Sequence, residues 1–314
     1  MRIRELQKHL EELIFVGQAH RIGIIKELHQ RPDTYEGIAK RMNFDARSTW
    51  VLLEALAEMS YLTIDNGVYS VPHEIYERLV DEGGQDYEGD FWLFLLYLIN
   101  PWKTLPYVLK HGEPDKSSYK NFSISDFIKG MDSPWKKRIA PEVVNICLEN
   151  LPEAKIVADI GGAPGTIAKV FAQRGINTIV YDLPESMQVM ADELSRITNI
   201  EVQTGDATKE LPKGPYDIAF LGNLCHGQSP EDNVRIIEMC YKHLHDKGLI
   251  VIFDNLRGES YRGATLALHM ITQSPKGDVY SREEYYEWLK GTGFRDLRVE
   301  NLSDSTWQLI IGRK

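Results

Sequence analysis

Between residues 155 and 254 of this 314-residue chain, short apolar runs alternate with helical stretches. The runs are KIVADI, NTIVYD, IEVQT, YDIAFLG and GLIVIFD. Runs of this length suit strands buried in a sheet better than helices. Strands separated by helices pair in parallel, because a right-handed crossover carries the chain back to the same edge. At the end of the chain, FRDLRVENL and TWQLIIGR have only a short link between them, which forces an antiparallel hairpin. The predicted fold class is therefore α/β: a mostly parallel sheet closing on an antiparallel hairpin, behind a mostly helical region.

That helical region has its own pattern. Ile3, Leu6, Leu10, Leu13 and Ile14 recur at helix spacing, and Ile22, Ile25 and Leu28 continue it. Thr34 caps a short helix through Met42, with Glu36 in its first turn, and Asp45 caps a second through Met59. YLTIDNGVYSV then alternates, and Asn66-Gly67 signals a type I′ hairpin. Two short helices followed by a hairpin make a winged helix. From about Asp86 to Leu148 a further helical segment carries Phe91, Trp92, Phe94, Trp102, Phe127, Met131 and Trp135. Each packs a core or lines an apolar pocket; Trp102, Phe127 and Met131 are the candidates for contact with a bound small molecule. The expected division is a winged-helix domain at 1–85, a helical linker and pocket segment at 86–150, and the α/β domain at 151–314.

Charge excludes one use of a winged helix. The net charge is −10, and residues 33–78 hold four basic side chains (Lys40, Arg41, Arg47, Arg78) against eight acidic ones. A DNA-binding regulator is the alternative from another functional class, but phosphate contact needs Lys or Arg. The helix from Asp45 to Met59 offers only Arg47, beside an apolar stripe of Val51, Leu52, Leu53, Ala55 and Leu56. Such a stripe suits a second protein chain, so a homodimer is expected and nucleic acid is not. Cys147, Cys225 and Cys240 are odd in number and form no C-x-x-C pair, which argues against a disulfide framework or a zinc site. MRIRELQKHLEEL lacks the apolar stretch of a signal peptide, and the longest apolar run, Phe91–Ile99, is far short of the about 20 residues a membrane span needs. A cytoplasmic protein without membrane partners is expected.

VADIGGAPGT stands at the first strand-to-helix turn. A dinucleotide fingerprint, G-x-G-x-x-G/A, fails here because Ala163 and Thr166 fall at its third and sixth positions. The string instead fits the D-x-G-x-x-x-G turn of S-adenosylmethionine enzymes, with Asp159, Gly161 and Gly165; a tight turn without ligand is the other reading. Asp182 ends the second strand, where an acid can accept hydrogen bonds from ribose hydroxyls, though Pro184 also allows a plain helix cap. In GDAT after the third strand, Asp206 can meet an adenine amino group or serve as a turn residue. Leu183 and Ala207, the next residues in each turn, complete the candidate cofactor set. All lie at carboxyl ends of parallel strands, where such sheets bind ligands.

Nearly end to end, the chain resembles the small-molecule O-methyltransferases that include the plant caffeate and flavonoid enzymes and bacterial tailoring enzymes. The resemblance is carried by AHRIGIIKEL, IAKRMNFDARSTWVLLEALAEMSYL, WKTLPYVLKHGEP, VADIGGAPGT, YDLPE and GDAT. It implies an N-terminal winged-helix dimerisation domain, a Rossmann-like S-adenosylmethionine-binding catalytic domain, and transfer of methyl to a hydroxyl of a small apolar or aromatic acceptor. The family's general base is a histidine after the fourth strand, which falls on His226 in GNLCHGQSPEDN; its usual Asp-Trp neighbours are Gly227-Gln228 here. The acid that orients the base falls on Asp254. The family's second orienting acid falls on Val279, with Asp278 one residue away. Cys225 as a nucleophile is disfavoured, since sequence neighbours at a strand end face apart. Asp254-Asn255 resembles the metal pair of magnesium-dependent catechol-type methyltransferases, but Gly222-Asn223-Leu224 supplies no further acid, so no metal is expected. A cofactor-binding relative that does not methylate oxygen is the nearer alternative.

Overall fold

A computed structural model describes residues 2–119, 123–303 and 307–314. They form two compact units, Met1–Ile99 and Asn100–Lys314, divided within the helix Gly89–Lys103 and so inside the segment expected to be a linker.

In the first unit, the helix pattern breaks where the sequence suggested continuity. Gly23 adopts φ +79°, separating Ile3–Arg21 from Ile24–Gln30. Thr34 Oγ1 accepts from Gly37 N–H and Asp45 from Ser48 N–H, capping Tyr35–Met42 and Ala46–Glu58 as expected. Strands β1 (Thr63–Asp65) and β2 (Val68–Ser70) follow, joined through Asn66 and Gly67, both at positive φ as a type I′ turn requires. The stripe on Ala46–Glu58 needs correction. Leu53 and Leu56 are fully buried in this unit's own core with Val16, Ile25, Leu28 and Ile38. The apolar side chains left exposed there are Trp50 and Val51, joined on the first helix by Ile3, Leu6, Leu10 and Phe15.

The second unit holds a seven-stranded sheet: β3 (Ile156–Ile160), β4 (Asn177–Asp182), β5 (Ile200–Thr204), β6 (Tyr216–Gly222), β7 (Leu244–Asp254), β8 (Arg295–Asn301) and β9 (Gln308–Arg313), in the order β5-β4-β3-β6-β7-β9-β8. The first five in chain order pair in parallel, and β9 runs antiparallel to both β7 and β8. Thr306, read as part of the last strand, lies outside the described residues. Successive side chains alternate between two cores. On β6, Ile218 and Phe220 join Val143, Val144 and Cys147 of the helix Pro134–Asn150 on one face. Ala219 and Leu221 join Ile236, Tyr285 and Leu289 on the other. Because both faces are covered, the strands carry apolar side chains on both sides. Strand order reverses at β3, with β4 on one side and β6 on the other, which opens a crevice at the carboxyl ends of these strands. Among the described residues, no helix is long and apolar enough to cross a membrane.

Candidate active site

The turn after β3 lies at that crevice. Gly161 and Gly165 have φ of +72° and +88°, a region that L side chains avoid. The protein's own packing also demands glycine at 165, since a Cβ there would lie 2.5 Å from Leu194 Cδ2. Asp182, the last residue of β4, holds the turn: one carboxylate oxygen accepts Ala163 N–H at 3.0 Å and the other accepts Leu183 N–H at 2.7 Å. Burial raises the pKa of Asp182, and these two bonds oppose the rise. A carboxylate has about four acceptor sites, so beyond these two N–H groups and the Ser186 side chain it keeps room for a ligand hydroxyl. Asp159 is buried beneath the turn, and burial pushes its pKa up to about 7, with Lys136 opposing and Asp182 adding.

Asp206 is more occupied than its sequence setting implied. Its Oδ1 accepts Thr208 N–H (3.0 Å) and Oγ1–H (2.7 Å), and its Oδ2 pairs with Lys209 at 2.9 Å. These partners lower its pKa to about 2. Leu183 is half exposed, and Ala207 packs at the edge of the core.

The second cluster lies between β6 and β7. A single 3-10 turn, Cys225–Gly227, presents His226, whose Nδ1 is 2.7 Å from Asp254 Oδ1. A carboxylate only accepts, so Nδ1 carries the proton and Nε2 is left with its lone pair. Asp254 ends β7, fully buried, and four donors fix it. Oδ1 takes His226 Nδ1–H and Asn255 N–H (2.8 Å); Oδ2 takes His226 N–H (3.2 Å) and the Tyr285 hydroxyl (3.2 Å). No second acid reaches His226 from the later loop: Val279 is fully buried, and the Asp278 carboxylate pairs with Arg257 at 3.1 Å. Asp278 contributes its backbone N–H to the His226 carbonyl at 3.0 Å instead. Cys225 is buried, and burial raises its thiol well above the ordinary value, which leaves no thiolate to attack.

Of the three candidates for contact with a bound small molecule, Phe127 and Met131 lie one turn apart, with Met131 N–H donating to the Phe127 carbonyl at 3.1 Å, and Trp102 lies on a separate helix. Trp102 reaches His269 on the helix Tyr261–Gln273, with Nε1 3.0 Å from Nδ1. Phe127 packs against the cluster of Met187, Met190 and Leu194, as does Ala163 of the glycine turn. Met131 caps the helix Ile124–Gly130 and is half-buried.

Three residues of this site went unread in the sequence: Lys136, Tyr285 and His269. Lys136 is the clearest, a lysine on the buried stripe of Pro134–Asn150 together with Ile139, Ala140, Val143 and Cys147. Its place on that apolar period is a signal the sequence carried. Burial lowers its pKa, while Asp159, Asp132 and Asp182 raise it. Among the described residues no carboxylate forms an ion pair with it, so a buried amine stands beside the glycine turn without a salt bridge. That feature and the Asp182 carboxylate fit a ligand with an anionic end and hydroxyls to spare. Among the described residues no group of three or more His, Cys, Asp or Glu could hold a metal ion.

A family model described as an O-methyltransferase domain matches residues 110–295. The chain is 25% identical over 307 residues to an S-adenosyl-L-methionine-dependent methyl transferase, PigF, of Serratia sp., covering 88% of this chain and 85% of that one. It is 25% identical over 160 residues to (iso)eugenol O-methyltransferase of Clarkia breweri, covering 48% of this chain and 42% of the plant enzyme. Among solved structures, PigF with SAH superposes at a TM-score of 0.82 with 21% identity over the whole of both chains. Human N-acetylserotonin methyltransferase with SAM does so at 0.80 with 17% identity over 99% and 97%.

Proposed function

The chain belongs to the O-methyltransferase domain family, and from that membership we propose that it methylates a hydroxyl of a small apolar or aromatic molecule, with His226 as the general base. S-adenosylmethionine is the cofactor. It brings a methyl group already activated by a positively charged sulfur. What remains for the protein is to align the acceptor and remove its proton. The observation that carries the reading is the 2.7 Å contact of His226 Nδ1 with Asp254. It leaves Nε2 free to take a hydroxyl proton, and the buried carboxylate steadies the imidazolium that results.

Asp182 would hold the ribose hydroxyls, and Lys136 the carboxylate of the methionine moiety, its only anionic group. Asp206, Leu183 and Ala207 would flank the adenine, while Asp159, Gly161 and Gly165 shape the turn beneath. Trp102, Phe127 and Met131 would supply apolar surface for the acceptor. The direct test uses isotope-labelled S-adenosylmethionine with hydroxyl, amine and activated-carbon acceptors. The label should appear as a methoxy group. Label on nitrogen or carbon, with hydroxyl acceptors inert, would transfer the protein to the relatives that spare oxygen.

The protein also works as a homodimer through its N-terminal unit, in a reducing cytoplasm that suits its three free, buried thiols. The exposed apolar residues Ile3, Leu6, Leu10, Phe15, Trp50 and Val51 support an interface. A stable interface of this kind buries over about 2,000 Å². Light scattering at micromolar concentration should give twice the 36.0 kDa chain mass; a monomer mass would refute the dimer.

A further inference from the structure

Two histidines stand near the reacting centre, and their hydrogen bonds give them opposite tautomers. His226 presents a bare Nε2, as its Nδ1 faces Asp254. His269 is the reverse. Indole nitrogen donates and cannot accept, so the Trp102 Nε1–H at 3.0 Å requires a lone pair on His269 Nδ1. In the neutral ring the proton is then on Nε2. The two rings also meet edge to face at 6.1 Å and 81°, which fixes the plane of the imidazole.

Neutrality follows from the surroundings. Burial above all, with His226 and Arg262 acting in the same direction, pushes the pKa of His269 down to about 4. Arg262 lies two turns before His269 on the same helix and so on the same side of it. At neutral pH His269 takes no part in proton transfer and acts as a fixed N–H donor.

The helix that carries His269 packs against the turn that carries His226. The next residue, Met270, meets the His226 backbone at Gly277, where a Cβ would lie 2.7 Å from Met270 Cε and 2.8 Å from the His226 carbonyl oxygen. The two histidines are close enough that charge on one opposes charge on the other.

We propose that His269 is a specificity-determining residue: its Nε2–H, oriented by Trp102, donates to a hydrogen-bond-accepting atom beside the hydroxyl that His226 deprotonates. The favoured acceptors are hydroxyaromatics with an ether or carbonyl oxygen, or a ring nitrogen, next to the reacting hydroxyl. A plain phenol leaves the buried N–H of His269 unpaired and is penalised for it. The inference rests on the reading of His226 as the base.

The test compares ortho-methoxyphenol with ortho-ethylphenol, which match in size and differ by one oxygen. The protein should favour the methoxy compound in kcat/KM by about tenfold, the value of one buried hydrogen bond. His269→Leu should reduce that preference to about twofold or less, and His269→Gln, which keeps an N–H donor, should retain more of it. Nitrogen-15 spectra of the imidazoles should show the Nε2–H tautomer at His269, mixed with the other in Trp102→Phe. A preference that survives His269→Leu, or an Nδ1–H tautomer in the parent protein, overturns the proposal. If neither phenol is methylated, the hydroxyl reading itself fails. The affinities of the S-adenosylhomocysteine-loaded protein for the two phenols then decide the His269 assignment, equal affinities overturning it.

Discussion

Replacing His226 by Ala should cut turnover by about 10²–10⁴-fold, the usual range for losing a general base. Affinity for S-adenosylhomocysteine should barely move, because the proposed cofactor contacts come from the turns at Gly161, Asp182 and Asp206 and from Lys136. The loss should shrink for acceptors of lower pKa, which are already partly ionised and need the base less. Asp254→Asn should produce a smaller defect of the same kind, for a reason visible in its bonds. Both carboxylate oxygens receive donors: Asn255 N–H and His226 Nδ1–H on one, His226 N–H and the Tyr285 hydroxyl on the other. An amide group turned either way sets its own N–H against at least one of them. Rate measurements on a weakly acidic phenol check both variants. Near-full turnover by His226→Ala would mean that the proton leaves by another route, or that the methylated atom is not a hydroxyl oxygen.

The sheet was legible because each of its strands speaks for itself. A strand in a doubly covered sheet is a short apolar run, and the turns between runs carry the acids and glycines that define the crevice. His226 and Asp254 could be paired in advance only through the family pattern; they are 28 positions apart, and no local signal joins them. Tyr285 was hidden for a different reason. In REEYYEWL an aromatic at helix spacing reads as core, and Tyr285 is core, yet its hydroxyl also donates to Asp254. Lys136 and His269 likewise sit on helix faces where local spacing points to packing. The stripe on Ala46–Glu58 shows the opposite case, since Leu53 and Leu56 serve the unit's own core while Trp50 and Val51 are the large apolar side chains that the helix leaves exposed. Periodicity finds a buried face without saying which neighbour buries it.

Asp182→Ala should weaken S-adenosylhomocysteine binding by more than about tenfold, as loss of a buried charged hydrogen-bond partner does. Two effects act together. The proposed ribose acceptor disappears, and the N–H groups of Ala163 and Leu183 lose the carboxylate that holds the turn. Asp182→Asn separates them. One oxygen still accepts from one of the two N–H groups, while the amide nitrogen faces the other, so affinity should fall between the parent protein and the Ala variant. The change also reaches Lys136 and Asp159. Removing the Asp182 charge takes away one of the acids that favour the Lys136 ammonium, and it removes a like charge that raises the pKa of Asp159. The Ala variant should therefore lose affinity for the carboxylate-bearing cofactor product as well as for its nucleoside part. Calorimetry with S-adenosylhomocysteine and with adenosine alone reads the two contributions. Binding of both by Asp182→Ala with parental affinity would remove Asp182 from the site and leave it as a brace for the glycine turn.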